Sequence, residues 1–207
     1  MISRRRNGFS LIELAIVLLV VSILTAGLIT MFRVQREHAA ISETRAALDE
    51  AKEALFAYAE INKGLPCPDT DNDGLENTGC DNNHRRGQLP WKTLGLSQGS
   101  DAWSQSLRYL VSPNLIPGAL TKLVKHGDGD IYIDDGTPSS VVTQTAAAFA
   151  VWSVGPDGSD SSQAEALNSN KVMTGSTAAP SDDIVIWGSY YVLVGRILQA
   201  GQTLTLM

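Results

Sequence analysis

An uninterrupted apolar run near the amino terminus constrains this chain more than any other feature. Residues 9–32 contain a single charged side chain, Glu13, and follow a short leader that carries Arg4, Arg5 and Arg6. About 20 apolar residues suffice for a helix to span a bilayer, so this run predicts a transmembrane helix. A carboxylate in such a helix costs about 3 kcal/mol at the bilayer centre and less near an end. Its presence therefore indicates a function and a partner for Glu13.

The junction between the leader and the apolar run has a recognisable order of residues. Gly8 and Phe9 are followed by Ser-Leu-Ile and then by Glu13, the fifth residue after the glycine. This order resembles the type IV pilin and type II secretion pseudopilin superfamily. The resemblance implies that prepilin peptidase cuts the Gly8–Phe9 bond on the cytoplasmic side and that Phe9 is then N-methylated. It also implies that Glu13 pairs with the Phe9 amine of a neighbouring subunit during filament assembly.

An ordinary signal anchor is the alternative interpretation, with Glu13 merely tolerated near the membrane edge. A cleaved secretory signal peptide fits less well, because the apolar run is too long and no small-x-small cleavage site follows it.

The charge distribution predicts where the chain resides. The basic leader should stay in the cytoplasm, which places the bulk of the chain outside. With this orientation, the resemblance implies a single-pass protein of the bacterial inner membrane with a periplasmic carboxyl-terminal domain, which then enters a periplasmic or surface filament. The partners that the resemblance implies are prepilin peptidase, other pilin or pseudopilin subunits, the inner-membrane assembly machinery and the inner membrane. A net charge of −6 disfavours nucleic-acid binding, so no such partner is expected.

The helical pattern continues beyond the apolar run. No proline interrupts residues 9–65, and Lys63-Gly64 followed by Pro66 predicts the helix end near residue 62. One stripe recurs at steps of three and four residues and should pack on a sheet. Its members are Ile41, Thr44, Leu48, Ala51, Leu55 and Tyr58.

The remainder of the chain predicts short strands. An irregular segment at 65–100 precedes candidate strands at 107–111, 130–133, 148–154 and 184–187. Turn-rich spacers separate them without a helical period, which favours an antiparallel sheet. A final short helix is expected at 189–200, with Ser189 as N-cap and Gly201 after its end.

The predicted fold class is α+β and pilin-like. A long N-terminal helix, first membrane-spanning and then amphipathic, packs on a small antiparallel β-sheet. The expected boundaries are a leader peptide at 1–8, a transmembrane and assembly helix at 9–32, its amphipathic continuation at 33–62 and an exterior globular domain at 63–207.

Two cysteines, Cys67 and Cys80, are the only ones in the chain. In an oxidising exterior compartment they should form one disulfide. They bracket residues 69–74, Asp-Thr-Asp-Asn-Asp-Gly, which have acids at positions 1, 3 and 5 of a calcium loop and a glycine at position 6. The twelfth position, where an EF-hand has a bidentate Glu, is Cys80, so a true EF-hand is excluded.

Calcium is the candidate cofactor of this loop. The candidate ligands are Asp69, Asp71 and Asp73. Asn77 or Asp81 could complete the coordination shell. The alternative is a solvated turn held by the disulfide alone.

A second acidic set lies in the carboxyl-terminal half. Asp101-Ala102-Trp103, the loop 155–160 and the segment 181–184 together resemble the major pseudopilin of type II secretion. In that family an Asp-Pro-Trp-Gly stretch precedes a Ser-x-Gly-x-Asp-Gly loop that closes on an Asp-Asp/Ile segment and binds calcium. Here Ala102 stands in place of the proline and Ser104 in place of the glycine, and the loop 161–180 is longer. The resemblance implies Asp157, Asp160, Asp182 and Asp183 as candidate calcium ligands. The alternative is a pair of polar hairpin loops.

No pattern of catalytic residues emerges, so we expect a protein that is not an enzyme. His38, His84 and His126 are isolated, and the sequence has no nucleophile elbow, phosphate loop or dinucleotide fingerprint. The predicted function is a structural subunit of a type II secretion pseudopilus or a related type IV pilus-like filament. The alternatives are a membrane-anchored periplasmic calcium- or ligand-binding domain that does not polymerise, and a surface minor pilin for adhesion or DNA uptake.

Overall fold

The structure, a computed structural model, describes residues 10–80, 84–116, 131–134, 147–160, 171–173 and 182–201; the side chains of residues 26–33, 113, 132, 134 and 171–173 lie outside this description. The chain divides into two compact units, Met1–Ser42 and Glu43–Met207.

A single helix, α1 (Leu11–Asn62), contributes to both units. Its last residue agrees with the predicted end near residue 62. Lys63 follows with a φ of 58°, and its N–H donates to the carbonyl oxygen of Ala59 at 2.9 Å. A residue in this left-handed conformation commonly ends a helix, because it turns the chain away while bonding the last carbonyls.

The membrane-spanning part of the prediction for residues 9–32 is not supported. Within the residues that the structure describes, no helix combines the length and the apolar character needed to cross a membrane.

The second unit holds a small antiparallel sheet, as predicted. Its strands and short helices, in chain order, are β1 (Arg86–Gln88), β2 (Arg108–Val111), a 3-10 helix (Pro113–Leu115), β3 (Tyr132–Asp134), β4 (Ala147–Ser153), β5 (Lys171–Met173), β6 (Ile184–Ser189) and α2 (Tyr190–Gln199). The sheet order is β1-β2-β4-β6, and every neighbouring pair is antiparallel. A separate two-stranded pair joins β3 and β5 in parallel.

Most of the predicted elements coincide with observed ones. The predicted strands at 107–111, 148–154 and 184–187 correspond to β2, β4 and β6, and the predicted helix at 189–200 corresponds to α2. Ser189 is the N-cap residue of α2, although its side chain makes no capping hydrogen bond, and Gly201 follows with a φ of 78°. Strands β1 and β5 were not predicted.

The predicted amphipathic stripe of α1 forms one wall of the main core. Thr44, Leu48, Ala51 and Leu55 have no exposed surface. Leu48, Ala51 and Leu55 share one core with buried side chains of β2, β4 and α2, which are Tyr109, Val111, Phe149, Val151, Leu193 and Ile197. Complete burial of each such aliphatic or aromatic side chain stabilises the fold by roughly 1.5–3 kcal/mol. The stripe therefore docks the end of α1 onto the sheet.

The opposite face of the sheet is covered as well. Leu110, Ala150 and Trp152 pack there with Ile131 and Ile133, which belong to β3 or immediately precede it. Strand β4 is consequently buried at every position, which explains its unbroken apolar sequence.

Candidate functional site

The amino-terminal site begins at the first turn of α1. The carbonyl oxygen of Ser10 accepts hydrogen bonds from the backbone N–H groups of Glu13 at 3.0 Å and Leu14 at 3.2 Å. Glu13 therefore lies in the first helical turn, where the helix dipole favours a carboxylate. The predicted cleavage residues, Gly8 and Phe9, lie outside the described residues.

The helix that follows presents an apolar surface. Nearly all large side chains of residues 11–24 are exposed, with Leu11 at 88% and Ile12 at 69%. The two hydroxyl groups of residues 11–25 bond within the helix: Ser22 donates to the Leu18 carbonyl at 2.6 Å and Thr25 to the Val21 carbonyl at 2.7 Å. These polar groups thus need no water. An apolar surface of this size marks a contact with a membrane or with another protein.

The predicted disulfide is present in the second unit. Cys67 and Cys80 are joined with a Cα–Cα distance of 5.6 Å. In the chain-entropy model, closing a loop of about this size contributes roughly 3 kcal/mol. The bridge encloses the acidic loop of residues 69–74.

Asp69 organises the acidic loop. Its carboxylate is 1% exposed and accepts three backbone hydrogen bonds: Oδ1 from Asp71 at 3.1 Å and Asn72 at 2.7 Å, and Oδ2 from Gly74 at 2.7 Å. Asn72 and Gly74 adopt positive φ values of 66° and 83°, which wrap the chain around this carboxylate. A buried charge satisfied by three donors stabilises the loop conformation.

The loop brings the three predicted ligands together. Carboxylate oxygens of Asp69, Asp71 and Asp73 lie within 4.8 Å of one another. Such oxygens suit a hard cation such as Ca²⁺. The amide oxygen of Asn77 instead accepts bonds from the Thr70 N–H at 2.6 Å and hydroxyl at 3.0 Å, and Asp81 lies outside the described residues. The described side chains thus offer three carboxylates, leaving the other coordination positions to water or backbone carbonyls.

Glu76 links this loop to α1, a role that the sequence did not suggest. Its Oε1 accepts the Tyr58 hydroxyl at 2.8 Å, and its Oε2 accepts the Cys67 N–H at 3.2 Å. Its own N–H donates to the Thr93 hydroxyl oxygen at 2.9 Å. One carboxylate therefore connects the helix to the chain at the disulfide.

We expect Glu76→Gln to lower the pKa of Tyr58. Burial, followed by the hydrogen bond to Glu76 and the charge of Glu76, raises that pKa from 10.0 to about 12. The pKa of Tyr58 is higher in the folded protein than in the unfolded chain. The neutral phenol therefore contributes fully to the free energy of unfolding below pH 10, and this contribution is lost as the pH rises through about 12. Removing the Glu76 charge should move the pKa part of the way back towards 10, because burial remains.

Phenolate absorbance during an alkaline titration measures this pKa, and Tyr58→Phe identifies the Tyr58 contribution. Glu50→Gln, at an exposed position of the same helix, is the matched control and should leave the titration unchanged. If the pKa of Tyr58 is the same in wild type and in Glu76→Gln, the proposed link between Glu76 and Tyr58 is contradicted.

Asp101 connects the parts of the second acidic set. Its side chain is buried; Oδ1 accepts the N–H groups of Trp103 at 2.9 Å and Gln105 at 2.8 Å, and Oδ2 accepts the Ser153 hydroxyl at 2.5 Å. The Ser153 oxygen in turn accepts the Gly155 N–H at 3.1 Å. This network ties the turn at 101–105 to the end of β4 and to the loop after it.

The loop after β4 also meets the segment before β6. A Cβ added to Gly155 would lie 2.5 Å from Asp182 Oδ2 and 2.9 Å from the Asp182 carbonyl oxygen, and the φ of Gly155 is 68°. Only glycine fits this close approach. The structure thus assembles the three stretches, 101–103, 155–160 and 182–183, that carry the resemblance to the major pseudopilin.

Two of the four candidate ligands of this set accept hydrogen bonds from neighbouring groups. Asp157 Oδ1 accepts the Ser159 N–H at 2.7 Å, and Asp160 Oδ1 accepts the Trp152 indole N–H at 3.0 Å. Asp182 is exposed and Asp183 is buried. Among the described residues, Asp69, Asp71 and Asp73 are the one group of three acids close enough to share a metal. Calcium at the second set remains a prediction.

Ser104→Gly should stabilise the protein by about 0.5–1 kcal/mol. Ser104 has a φ of 65°, a region that costs residues other than glycine roughly 1–2 kcal/mol. Part of that gain is offset because glycine has more freedom in the unfolded chain. Chemical denaturation measures the difference. Ser106→Gly, in an extended bridge with Ser100, is the control and should destabilise; stabilisation by both changes would contradict the strain at Ser104.

Comparison with known families agrees with the amino-terminal site. Residues 3–29 match the family described as the prokaryotic N-terminal methylation motif. The chain carries a prepilin-type signal. This signature of type IV pilins and pseudopilins indicates a pilin-like protein that is processed by prepilin peptidase and assembles with other pilin-like subunits. It also indicates a membrane-anchored protein that then resides in the periplasm or at the surface. No curated protein and no solved structure matches the chain.

Proposed function

We propose that this chain is a structural subunit of a type II secretion pseudopilus or a related type IV pilus-like filament. The methylation motif at residues 3–29, which overlaps the exposed apolar surface of α1, carries the proposal. In the proposed cycle, residues 9–32 hold the precursor in the inner membrane. After cleavage between Gly8 and Phe9 and methylation of Phe9, the same surface packs against neighbouring subunits.

Glu13 sets the register in this proposal. Every large neighbour of Glu13 on α1 is apolar, so a subunit that joins the filament removes its carboxylate from water. Charge attraction is strongest in such surroundings, and an unpaired carboxylate is costly there. Pairing with the Phe9 amine of the adjacent subunit therefore stabilises one register between neighbouring subunits and disfavours the others.

Recovery of the chain in filaments tests the proposal. Cells that express the chain with its cognate assembly system are sheared, and the filament fraction and spheroplast membranes are probed separately. We expect the processed chain in polymers that withstand dilution. A processed chain found only as a dispersed membrane protein, with the assembly system active, would favour the non-polymerising alternative.

Calcium binding is a second part of the proposal, supported by the approach of Asp69, Asp71 and Asp73. The disulfide and the hydrogen bonds to Asp69 preform the loop, so a bound Ca²⁺ would stabilise the folded state, and the gain would grow with the logarithm of its concentration relative to Kd. At one hundred times Kd the gain is about 2.7 kcal/mol.

Thermal unfolding with Ca²⁺ or Mg²⁺ tests the calcium site. We expect Ca²⁺ to raise Tm and Asp71→Asn to remove most of that rise, because Asp71 is exposed and its loss should not disturb the fold. Asp49→Asn is the matched exposed control. An equal rise in Tm with Ca²⁺ for wild type and Asp71→Asn would exclude this loop as the calcium site.

A further inference from the structure

Trp152 is the point at which two charged side chains from distant segments meet. It lies in β4, on the sheet face opposite the main core, and has no exposed surface. The guanidinium carbon of Arg86 lies 4.7 Å from the centroid of its ring. Its indole N–H donates to Asp160 Oδ1 at 3.0 Å. The ring therefore contacts a cation through its electron-rich face and an anion through its N–H edge.

The strand register brings a second cation to the same face. Arg108 pairs with Trp152 across the β2–β4 ladder, and Arg86 pairs with Leu110 across the β1–β2 ladder. Residues directly opposite each other in an antiparallel pair project from the same face. Burial lowers the pKa of Arg86, the Asp160 carboxylate raises it and the charge of Arg108 lowers it. Asp160 is therefore a negative charge that compensates a buried guanidinium.

The groups around Asp160 suit this role better than that of a calcium ligand, which the resemblance to the major pseudopilin implies. Calcium takes six to eight oxygen ligands, with several carboxylates among them. One oxygen of Asp160 already accepts the Trp152 N–H, and one oxygen of Asp157 accepts the Ser159 N–H. Among the described residues, three acids close enough to share a metal occur in the loop 69–74 alone.

The local charge points the same way. Two guanidinium groups share the sheet face on which Asp160 meets Trp152. A divalent cation bound at Asp160 would be repelled by both of them, and such repulsion is strong where water is excluded. A guanidinium, by contrast, is charged at every pH at which the protein is folded and stacks on an indole ring.

We propose that the Arg86 guanidinium, stacked on Trp152, is the cation that compensates Asp160 in the folded protein, in place of calcium. The loop after β4 is then tied through Trp152 to β1 by side chains alone, and its conformation does not depend on a metal. Any calcium dependence of the second unit is confined to the loop 69–74. The inference holds whether or not that loop binds calcium.

A double-mutant cycle tests the pair in the full-length chain in detergent, by thermal unfolding with Ca²⁺ or with a chelator. Arg86→Met and Asp160→Asn should each lower Tm by about 5 °C, because each leaves the other charge without compensation. The double variant should melt no lower than the less stable single variant, because the second change removes nothing further. These differences should be the same with Ca²⁺ and with the chelator. Arg45→Met, at an exposed position of α1, is the control and should melt like wild type.

The calcium response of the variants separates this inference from the calcium site proposed above. A rise in Tm with Ca²⁺ that Asp71→Asn removes and Asp160→Asn leaves intact supports the inference. No rise in any variant contradicts the site at the loop 69–74 and leaves the role of Arg86 to the cycle. A rise that Asp160→Asn removes would overturn the inference, because Asp160 would then be a metal ligand. Fully additive losses in the double variant would overturn it as well, because Arg86 and Asp160 would then act independently.

Discussion

Replacing Glu13 by alanine should abolish filament assembly while leaving processing intact. In the proposed filament, the change would leave the methylated Phe9 amine of the adjacent subunit without its partner in an apolar contact. Breaking a buried ion pair costs about 3–5 kcal/mol, which is more than a hundredfold in each association step. A filament repeats that loss at every subunit, so polymers should disappear from the sheared fraction. Mass spectrometry of the membrane fraction should still find the cleaved chain.

Two variants sharpen this experiment. Glu13→Gln keeps the size of the side chain but removes its charge, and we expect assembly to be lost as it is with alanine. Glu37→Ala, an exposed acid further along α1, should assemble normally. Normal filaments from both Glu13 variants would contradict the register role of this carboxylate.

The second large effect should come from Asp101→Ala, which we expect to destabilise the second unit by about 3 kcal/mol. The substitution deprives two backbone N–H groups and the Ser153 hydroxyl of their acceptor. Hydrogen bonds to a charged group contribute roughly 1.5–3 kcal/mol each and are not additive within one network. The turn at 101–105 and the loop after β4 should loosen together, because Ser153 also bonds Gly155.

Denaturant unfolding monitored by tryptophan fluorescence measures this loss. Asp157→Ala is the matched control, since its carboxylate accepts one bond on an exposed turn and should cost less than about 1 kcal/mol. Asp101→Asn keeps one acceptor oxygen and should lie between the two. Similar losses of unfolding free energy for Asp101→Ala and Asp157→Ala would contradict the central position of Asp101 in this hydrogen-bond network.

The helices were predictable because their signals are local. The periodic stripe of α1 and the Lys63-Gly64 sequence after it predicted both the buried face and the last residue of the helix. The apolar runs of β2, β4 and β6 were equally visible. By contrast, β1 has the sequence Arg-Gly-Gln, without an apolar alternation, and it exists because it pairs with β2. Such a strand depends on partners that are 20 to 24 residues away in the chain, which composition does not encode.

The candidate sites also divide into those that local spacing predicts and those that depend on distant contacts. The spacing of Asp69, Asp71 and Asp73 predicted their approach, because alternate residues of one turn converge. The links made by Glu76 and Asp101 join residues that are distant in the chain, so no spacing could indicate them. For Asp101, its place at the start of the stretch that resembles the pseudopilin motif was the available signal.

The intact mass of the protein purified from its native membrane tests the central claim most directly. The account predicts a chain that starts at Phe9 and carries one additional methyl group, with a mass shift on reduction that reflects the Cys67–Cys80 bridge. An unprocessed chain starting at Met1, isolated from cells with an active prepilin peptidase, would contradict it and would make the protein a membrane-anchored exterior domain.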